Sequence, residues 1–499
     1  MNKNHVLLIA PNYIDKWRKL VFQSKENIGL GYIASFLMEK GYTVDIINAS
    51  TYNYENDQII RKIKITLSDY LIVGISCSSQ KMYPSAKELA EKLKNHGVKQ
   101  LCFGGIFATL EYKNILNDIS FVDYIVLGEG EFTFYKLCES IRLGDYNFGR
   151  ISGLAYRDNG KIVRLQQERI KDLSVLPHPI RDKNDLNNIE PQFFYIVAGR
   201  GCYGSCSFCS SQECFNYKNK VYRNVVDIVQ EIEHLVNTYN ITYFRFQDDI
   251  FFDKSKKSRE WIDQLVQEIT LHNLNITFRI YLRTNDVDED MIRKLKQVGL
   301  IEVFLGVETG IDRLLIEMNK KCNVNDTYRA IRILEDYNID IEIGFITIVP
   351  TMTFRELKEN YEFLFNIGHY DESNIHNRLN VFTGCSYVDI LTRMDLLLPK
   401  NNFYDRQNYK FIDNKVAIFH DSLQVVKEYA DKVKGKIVAI KKEELLAWNE
   451  TGKELDLQYL SLWKLIIKKL IDLIERTDRR EELNLKELFS IFDDFQSSI

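Results

Sequence analysis

Three closely spaced cysteines are the residues best suited to chemistry in this chain. Cys202, Cys206 and Cys209 form a Cys-x3-Cys-x2-Cys array, with Gly201 and Gly204 on either side of the first cysteine. Three thiolates at this spacing can bind three irons of a cubane cluster and leave the fourth iron without a protein ligand. An open metal position is where substrates and cofactors bind in metalloenzymes. The array therefore predicts a catalytic iron–sulfur cluster.

Disulfides and structural zinc are the other uses that such cysteines could have. The nine cysteines are an odd number, and the first residues lack the pattern of an export signal, which argues against an oxidising compartment. Structural zinc typically has four ligands in paired Cys-x2-Cys units. Cys214 is a possible fourth ligand here, but there is no second pair. We expect a cytoplasmic enzyme with reduced thiols, and a binding protein that holds zinc or a cluster is the alternative.

The composition limits the class of protein. A chain of 499 residues is too long for a single core and should divide into about two to four domains. Its hydrophobic content of 45% and charged content of 27% are ordinary for a globular protein. No apolar run reaches the roughly eighteen residues of a membrane span. The net charge of −4 gives no basic field for general nucleic-acid binding.

Residues 1–150 alternate short apolar strands with amphipathic helices, which predicts a doubly wound parallel sheet of the Rossmann or flavodoxin type. For example, His5–Ala10 predicts a strand and Gly29–Lys40 predicts a helix with one apolar face. Ligands of such sheets bind beyond the carboxyl ends of the strands. Small residues are concentrated there, so we expect a sizeable ligand along this edge. These residues are Ser76, Ser78, Gly104, Gly105, Gly128 and Gly130.

A second strand–helix series over residues 191–390 predicts a partial (β/α)6 barrel of the TIM type. The cysteine array follows its first strand, at the carboxyl rim where barrel enzymes carry their active sites. Residues 151–190 are predicted to be a linker with a hairpin around Asn159-Gly160. Residues 391–499 are predicted to be a largely helical region that helps to enclose the substrate. The barrel strands are predicted at 194–198, 243–247, 277–282, 302–306, 342–348 and 377–382.

This combination resembles the radical S-adenosylmethionine (SAM) superfamily, in which an aromatic residue, here Phe208, precedes the last cysteine. The resemblance implies that the cysteines hold a 4Fe–4S cluster, whose fourth iron binds SAM and whose electron cleaves it to a 5′-deoxyadenosyl radical. Later strand ends carry similar motifs, such as Gly306-Val-Glu308-Thr-Gly310, although Gly344-Phe-Ile-Thr departs from the usual Gly-Phe-Pro-Gly-Glu-Thr. The implied SAM-binding residues are Phe208, Asp248, Asp249, Arg283 and Glu308.

The first 150 residues resemble the cobalamin-binding domains that are fused to some radical SAM barrels. Gly104-Gly105-Ile-Phe-Ala-Thr109 resembles their Gly-Gly-Pro-His-x-Thr, and Gly128-Glu-Gly-Glu131 resembles their Gly-Glu-Gly-Glu. Ile106 and Phe107 replace the Pro and His, and there is no Asp-x-His-x-x-Gly to offer cobalt a histidine. The implied cobalamin-binding residues are Ser76, Ser78, Gly104, Gly105, Thr109, Gly128, Glu129 and Gly130.

The resemblance implies an enzyme that uses the 4Fe–4S cluster, SAM and cobalamin together. Its commonest reaction is methylation of an unactivated carbon or a phosphorus of a biosynthetic intermediate through methylcobalamin, with rearrangement or cyclisation as the alternative. Methylthio transfer is a third alternative, because Cys77, Cys102 and Cys138 could hold a second cluster. The expected partners are a small-molecule or peptide substrate and an electron donor such as flavodoxin or ferredoxin.

Overall fold

The computed structural model describes residues 4–12, 26–63, 65–181, 193–215, 219–443, 450–477 and 483–498. The end of the predicted linker, residues 182–190, lies outside the described residues. The described residues form two largely parallel sheets with their helices, followed by a helical C-terminal region.

The first sheet has the order β2-β1-β3-β4-β5-β6-β7, with the five leading strands parallel and the last two antiparallel. In β1, Leu7 and Ile9 belong to one core, whereas Val6 and Leu8 belong to a second core on the opposite face. Both faces are buried, so the predicted doubly wound sheet is confirmed. The strands are β1 (His5–Ala10), β2 (Thr43–Asn48), β3 (Ile72–Ser76), β4 (Leu101–Gly104), β5 (Tyr124–Val126), β6 (Leu154–Asp158) and β7 (Lys161–Arg164).

Helices cover both faces of this sheet. The first and last of them share one core, and the others pack mainly on the opposite face. Two helices begin directly after the glycines at the carboxyl ends of β4 and β5. The helices are α1 (Ile28–Glu39), α2 (Ala49–Tyr52), α3 (Asn56–Lys62), α4 (Tyr83–Asn95), α5 (Ile106–Leu110), α6 (Tyr112–Asp118) and α7 (Gly130–Leu143).

The predicted hairpin is present and extends the first sheet. Asn159, with a φ of 48°, and Gly160, with a φ of 77°, join β6 to β7. Two consecutive left-handed residues are typical of a type I′ turn, whose twist matches that of the strands. β6 pairs with β5, so the first part of the predicted linker packs as part of this sheet.

The second sheet has the barrel order β14-β13-β12-β11-β8, and all five of its strands are parallel. One apolar core lies between the strands and their helices. The strands are β8 (Phe194–Ile196), β11 (Tyr243–Phe246), β12 (Thr277–Arg283), β13 (Leu300–Glu308) and β14 (Asp340–Phe345), while β9 (Gly199–Arg200) and β10 (Val221–Tyr222) form a short antiparallel pair. The helices are α8 (Ser211–Phe215), α9 (Val225–Tyr239), α10 (Lys256–Leu271), α11 (Glu289–Gln297), α12 (Asp312–Glu317), α13 (Val324–Asp336) and α14 (Phe354–Ile367).

The sixth predicted barrel strand, 377–382, makes one isolated parallel bridge, between Ile348 and Arg378. Side-chain amides bind the backbone carbonyls that a longer strand would use. The amide of Asn360 donates to the carbonyl of Thr347 (2.9 Å), and that of Asn374 donates to the carbonyl of Ile343 (3.1 Å). The barrel is therefore partial, as predicted, with five full strands in the described residues.

The C-terminal region is mainly helical, as predicted. Its three long helices pack on one another and on the barrel through one apolar core. None of the helices in the described part of the chain is both long and apolar enough to cross a membrane. The helices are α15 (Glu372–His376), α16 (Tyr387–Arg393), α17 (Asn414–Glu443), α18 (Glu450–Glu475) and α19 (Lys486–Ser498).

Candidate active site

The cysteine array forms a loop between β9 and α8, beside the carboxyl ends of the barrel strands. The Cys209 amide donates to the Cys206 carbonyl (3.1 Å), and the Gly204 amide donates to Sγ of Cys202 (3.2 Å). A Cβ at Gly204 would lie 2.3 Å from Nη1 of Arg283. Glycine at this position therefore lets the loop approach the end of β12 closely.

Two buried cations lie near the Cys206 thiol. Nη1 of Arg283 donates to Sγ of Cys206 (3.1 Å), and Nζ of Lys320 lies 2.5 Å from Oε1 of Glu308. Burial by itself lowers the pKa of both cations. The nearby negative groups outweigh it: Cys206 raises the pKa of Arg283, and Glu308 and Cys206 raise that of Lys320. Both side chains therefore stay protonated and offset negative charge at the thiolates.

The donor set fits a 4Fe–4S cluster. None of the nine cysteines forms a disulfide. Among the described residues, no three His, Cys, Asp or Glu side chains converge closely enough to hold a single metal ion. A cubane places each thiolate on a different iron, so its ligands need not converge on one point. The three thiols nevertheless line one cavity together with two cations.

This cavity, the barrel cavity, brings together most of the predicted SAM-binding residues. Glu308 has a left-handed φ of 69° at the end of β13. A Cβ at Gly306 would lie 2.9 Å from both Oε1 of Glu308 and Nζ of Lys320, so the adjacent glycine makes room for that ion pair. Besides the three cysteines, the lining residues are Gly204, Phe208, Ser211, Gln212, Asp249, Tyr281, Leu282, Arg283, Phe304, Gly306, Glu308 and Lys320.

Asp248, also predicted to bind SAM, does not line the barrel cavity. Its side chain is buried, where Oδ1 accepts from the Ala198 amide (2.9 Å) and Oδ2 is paired with Lys220. The amide and the ammonium both belong to segments next to the cysteine loop. The structure thus places Asp248 as a brace behind the loop, while Asp249 faces the cavity.

A second cavity, the sheet-edge cavity, lies along the carboxyl edge of the first sheet. Seven of the eight predicted cobalamin-binding residues line it, and Thr109 supports them because its Oγ1 accepts from the Gly128 amide (3.0 Å). Further in, the cavity is lined by Leu8, Gly74 and Phe134, and a Cβ at Gly74 would lie 3.0 Å from the Leu8 side chain. A glycine edge with an apolar interior fits a large ligand whose tail ends in an apolar ring, as the tail of cobalamin ends in dimethylbenzimidazole. The seven residues are Ser76, Ser78, Gly104, Gly105, Gly128, Glu129 and Gly130.

Ile106 and Phe107, which replace the Pro and His of the cobalamin motif, lie in different surroundings. Ile106 lines the sheet-edge cavity with 40% of its surface exposed. Phe107 is buried, and its ring stacks on Phe403 of the C-terminal region at 6.3 Å between centroids. Phe403 also packs edge-on against Tyr83 at 5.0 Å. Phe107 therefore docks the C-terminal region onto the first sheet.

Residues of the barrel line one side of the sheet-edge cavity. Arg200, directly before the cysteine loop, pairs with Glu129 (3.0 Å) and Glu131 (2.6 Å) of the first sheet's edge. Gln247 and Asp249 from the end of β11 also line this cavity. The two cavities thus lie side by side where the first sheet meets the barrel.

Two protein-family models match the chain over these regions. The B12 binding domain matches residues 22–137, and the Radical SAM superfamily matches residues 196–364. The chain combines a B12 binding domain with a radical SAM domain. A radical SAM domain uses a 4Fe–4S cluster and SAM, and a B12 binding domain holds cobalamin, which confirms the predicted cofactors. The matched ranges fall within the predicted domains 1–150 and 191–390, whose boundaries stay predictions.

Relatives of this radical SAM enzyme carry several names. The chain is 29% identical over 377 residues to the anaerobic magnesium-protoporphyrin IX monomethyl ester cyclase of Rubrivivax gelatinosus, over 72% of this chain and 65% of the cyclase. It is 27% identical over 364 residues to an uncharacterized methyltransferase of Pyrococcus horikoshii, over 72% of this chain and 77% of that protein. The solved structure of the cobalamin-dependent S-adenosylmethionine radical enzyme OxsB with aqua-cobalamin bound has the same fold, with a TM-score of 0.81 at 17% identity over 99% of this chain and 75% of OxsB.

Three charged residues of this radical SAM site were missed in the sequence. Lys320 forms an ion pair with Glu308, and Lys220 forms one with Asp248, in the folded barrel. No local spacing marks either lysine. Arg200 lies in the Gly-Arg-Gly that precedes Cys202, so its position next to the motif was a usable signal.

Proposed function

We propose that this chain methylates an unactivated carbon or a phosphorus of a small biosynthetic intermediate or a peptide, using SAM and cobalamin. The observation that carries the proposal is the adjacency of the barrel cavity and the sheet-edge cavity, which share Asp249 in their walls. A substrate held between them would be close to both cofactors. The activity rests on the relatives only as an analogy, because the chain spans 65% of the cyclase's length.

The residues of the barrel cavity would bind the cluster and SAM. Cys202, Cys206 and Cys209 would hold the cluster, which when bound supplies the electron that cleaves SAM. Arg283 and Lys320 keep positive charge beside the thiolates, which stabilises a reduced, more negative site. Glu308, whose carboxylate is held by Lys320, would accept a hydrogen bond from a donor group of SAM.

The residues of the sheet-edge cavity would hold cobalamin, which when bound supplies a carrier for the methyl group. Gly105 has a φ of 99°, and a Cβ there would lie 2.9 Å from the Cys77 carbonyl. The bare backbone at this turn can approach a flat ligand closely. Ser76 and Ser78, whose hydroxyls are 3.3 Å apart, offer hydrogen bonds along the same edge.

The test is an anaerobic assay with protein expressed in the presence of cobalamin and supplied with a reductant and SAM labelled in its methyl group. We expect stoichiometric bound corrinoid, formation of 5′-deoxyadenosine, and transfer of the label to the corrinoid. Cys206→Ala should retain the corrinoid but form no 5′-deoxyadenosine. A wild-type protein that binds corrinoid and never accepts the label would contradict methyl transfer. We further propose that flavodoxin or ferredoxin replaces the chemical reductant in the cell.

Cyclisation or rearrangement is the second candidate, because a cyclase is among the relatives. The same cofactors would then start a radical reaction of the substrate that ends without a new methyl group. The isotope label separates the two candidates, since only a methylated product retains it.

Methylthio transfer through a second cluster is not favoured by the packing. Cys77 lies in the core on one face of the first sheet, whereas Cys102 and Cys138 lie in the core on the other face. Burial raises the pKa of all three thiols, so they remain protonated. They cannot bind one cluster together.

A further inference from the structure

Asp249 is the one described residue that lines both the barrel cavity and the sheet-edge cavity. It lies three residues after the end of β11. Its side chain is exposed to the cavities, while the neighbours Asp248 and Ile250 are buried. A group bound in either cavity can therefore meet the same carboxylate.

The carboxylate is tied to both ends of the cysteine loop. Oδ2 accepts from the Gly201 amide (3.1 Å), and Oδ1 accepts from the hydroxyl of Ser211 (3.2 Å). Gly201 directly precedes Cys202, and Ser211 lies just beyond Cys209. These two bonds fix the orientation of the carboxylate and leave each oxygen able to accept another hydrogen bond.

Asp249 also differs from the other charged residues of the two cavities in having no cation. Arg200 is paired with Glu129 and Glu131. Arg283 binds the Cys206 thiol, and Lys320 is paired with Glu308. In the part of the chain that the structure describes, no lysine, arginine or histidine forms an ion pair with Asp249. An uncompensated carboxylate in a partly enclosed site favours a positively charged ligand.

We propose that Asp249 is a positioning residue shared by the two cofactors. On the barrel side its carboxylate faces positive charge of SAM, and on the sheet side it accepts from an amide N–H of the corrin's side chains. Because one carboxylate serves both ligands, each cofactor strengthens the binding of the other by fixing this group further and by excluding water from it. The proposal rests on the proposed function only in requiring that both cofactors bind.

The test measures SAM affinity calorimetrically and anaerobically, on cluster-loaded protein with and without hydroxocobalamin. In the wild type, cobalamin should tighten SAM binding by about fivefold or more. In Asp249→Asn, SAM should bind about tenfold more weakly, and the ratio of the two affinities should fall to about one. Asn keeps the size and one acceptor for the Gly201 amide, and Asp249→Glu, which keeps the charge, should recover part of the ratio.

Two matched variants complete the test. Glu308→Gln changes only the barrel cavity and should weaken the binding of SAM. Ser78→Ala changes only the sheet-edge cavity and should weaken the binding of cobalamin. Both variants should keep the wild-type ratio of the SAM affinities with and without hydroxocobalamin. An unchanged ratio in Asp249→Asn, or a ratio of one in the wild type, would overturn the proposal. A wild type that binds only one cofactor would instead overturn the proposed function, and this result is known before any variant is made.

Discussion

The barrel cavity and the sheet-edge cavity are lined by different types of residue. The barrel cavity, of about 170 Å³, is lined by three thiols and by charged side chains, among them the ion pair of Lys320 and Glu308. The sheet-edge cavity, of about 330 Å³, is lined mainly by glycine, serine and apolar residues, such as Gly105 and Phe134. The first should therefore respond most to changes of charge and ligation, and the second to changes of volume.

The largest effect is expected from removing a thiolate. Cys206→Ala removes one of the three predicted cluster ligands, and this thiol is also the hydrogen-bond partner of Arg283. We therefore expect loss of the cluster and of all SAM cleavage. Iron and sulfide analysis of anaerobically purified protein measures this. Cys214→Ala is the matched control, because the buried Cys214 does not line the barrel cavity. Iron loss in Cys214→Ala, or zinc in place of iron, would favour the zinc alternative.

A broken ion pair behind the barrel cavity should cost stability. Lys220→Met leaves the Asp248 carboxylate buried without a cation, because both side chains are only 1% exposed. We expect the free energy of unfolding to fall by about 3–5 kcal/mol. Lys256→Met, at a side chain that is 90% exposed, should change it by less than about 0.5 kcal/mol. Denaturant unfolding followed by circular dichroism compares the two, and equal effects would mean that the pair does not brace the loop.

A larger side chain in the sheet-edge cavity should reduce the amount of bound corrinoid. Gly105→Val places a side chain at a φ of 99° and against the Cys77 carbonyl, so we expect at least about tenfold less bound corrinoid. The control Gly144→Ala also has a left-handed φ, of 71°, but would meet no atom within 4 Å. It should lose about 1 kcal/mol of stability and keep its corrinoid. Absorption spectra of the purified proteins decide the matter.

The smallest effect is expected from a single polar contact in the barrel cavity. Glu308→Ala removes a carboxylate and leaves Lys320 without its partner, so SAM should bind roughly tenfold more weakly while the cluster is retained. The iron content and a calorimetric titration give the two readouts. Undiminished SAM affinity would mean that Glu308 serves Lys320 alone.

The sequence predicted the locally encoded residues of both cavities, and it missed the contacts that are made across the fold. Small residues that follow apolar strands are a local pattern, and all six that were chosen from it line the sheet-edge cavity. The cysteine spacing is also local. Lys320, in contrast, forms its ion pair with Glu308 only in the folded barrel. The sequence also does not distinguish the neighbours Asp248 and Asp249, although Asp248 is buried and Asp249 faces both cavities. The sixth strand was overestimated because the carbonyls near it are bound by side-chain amides such as Asn374.

The stacking of Phe107 on Phe403 has a consequence for engineering. It fastens the C-terminal region to the first sheet beside Ile106, the residue that enters the sheet-edge cavity. A chimera whose imported C-terminal region has no aromatic residue at position 403 would lose this ring contact. An exchange of the C-terminal region should therefore match the residue at position 107 to the residue at position 403.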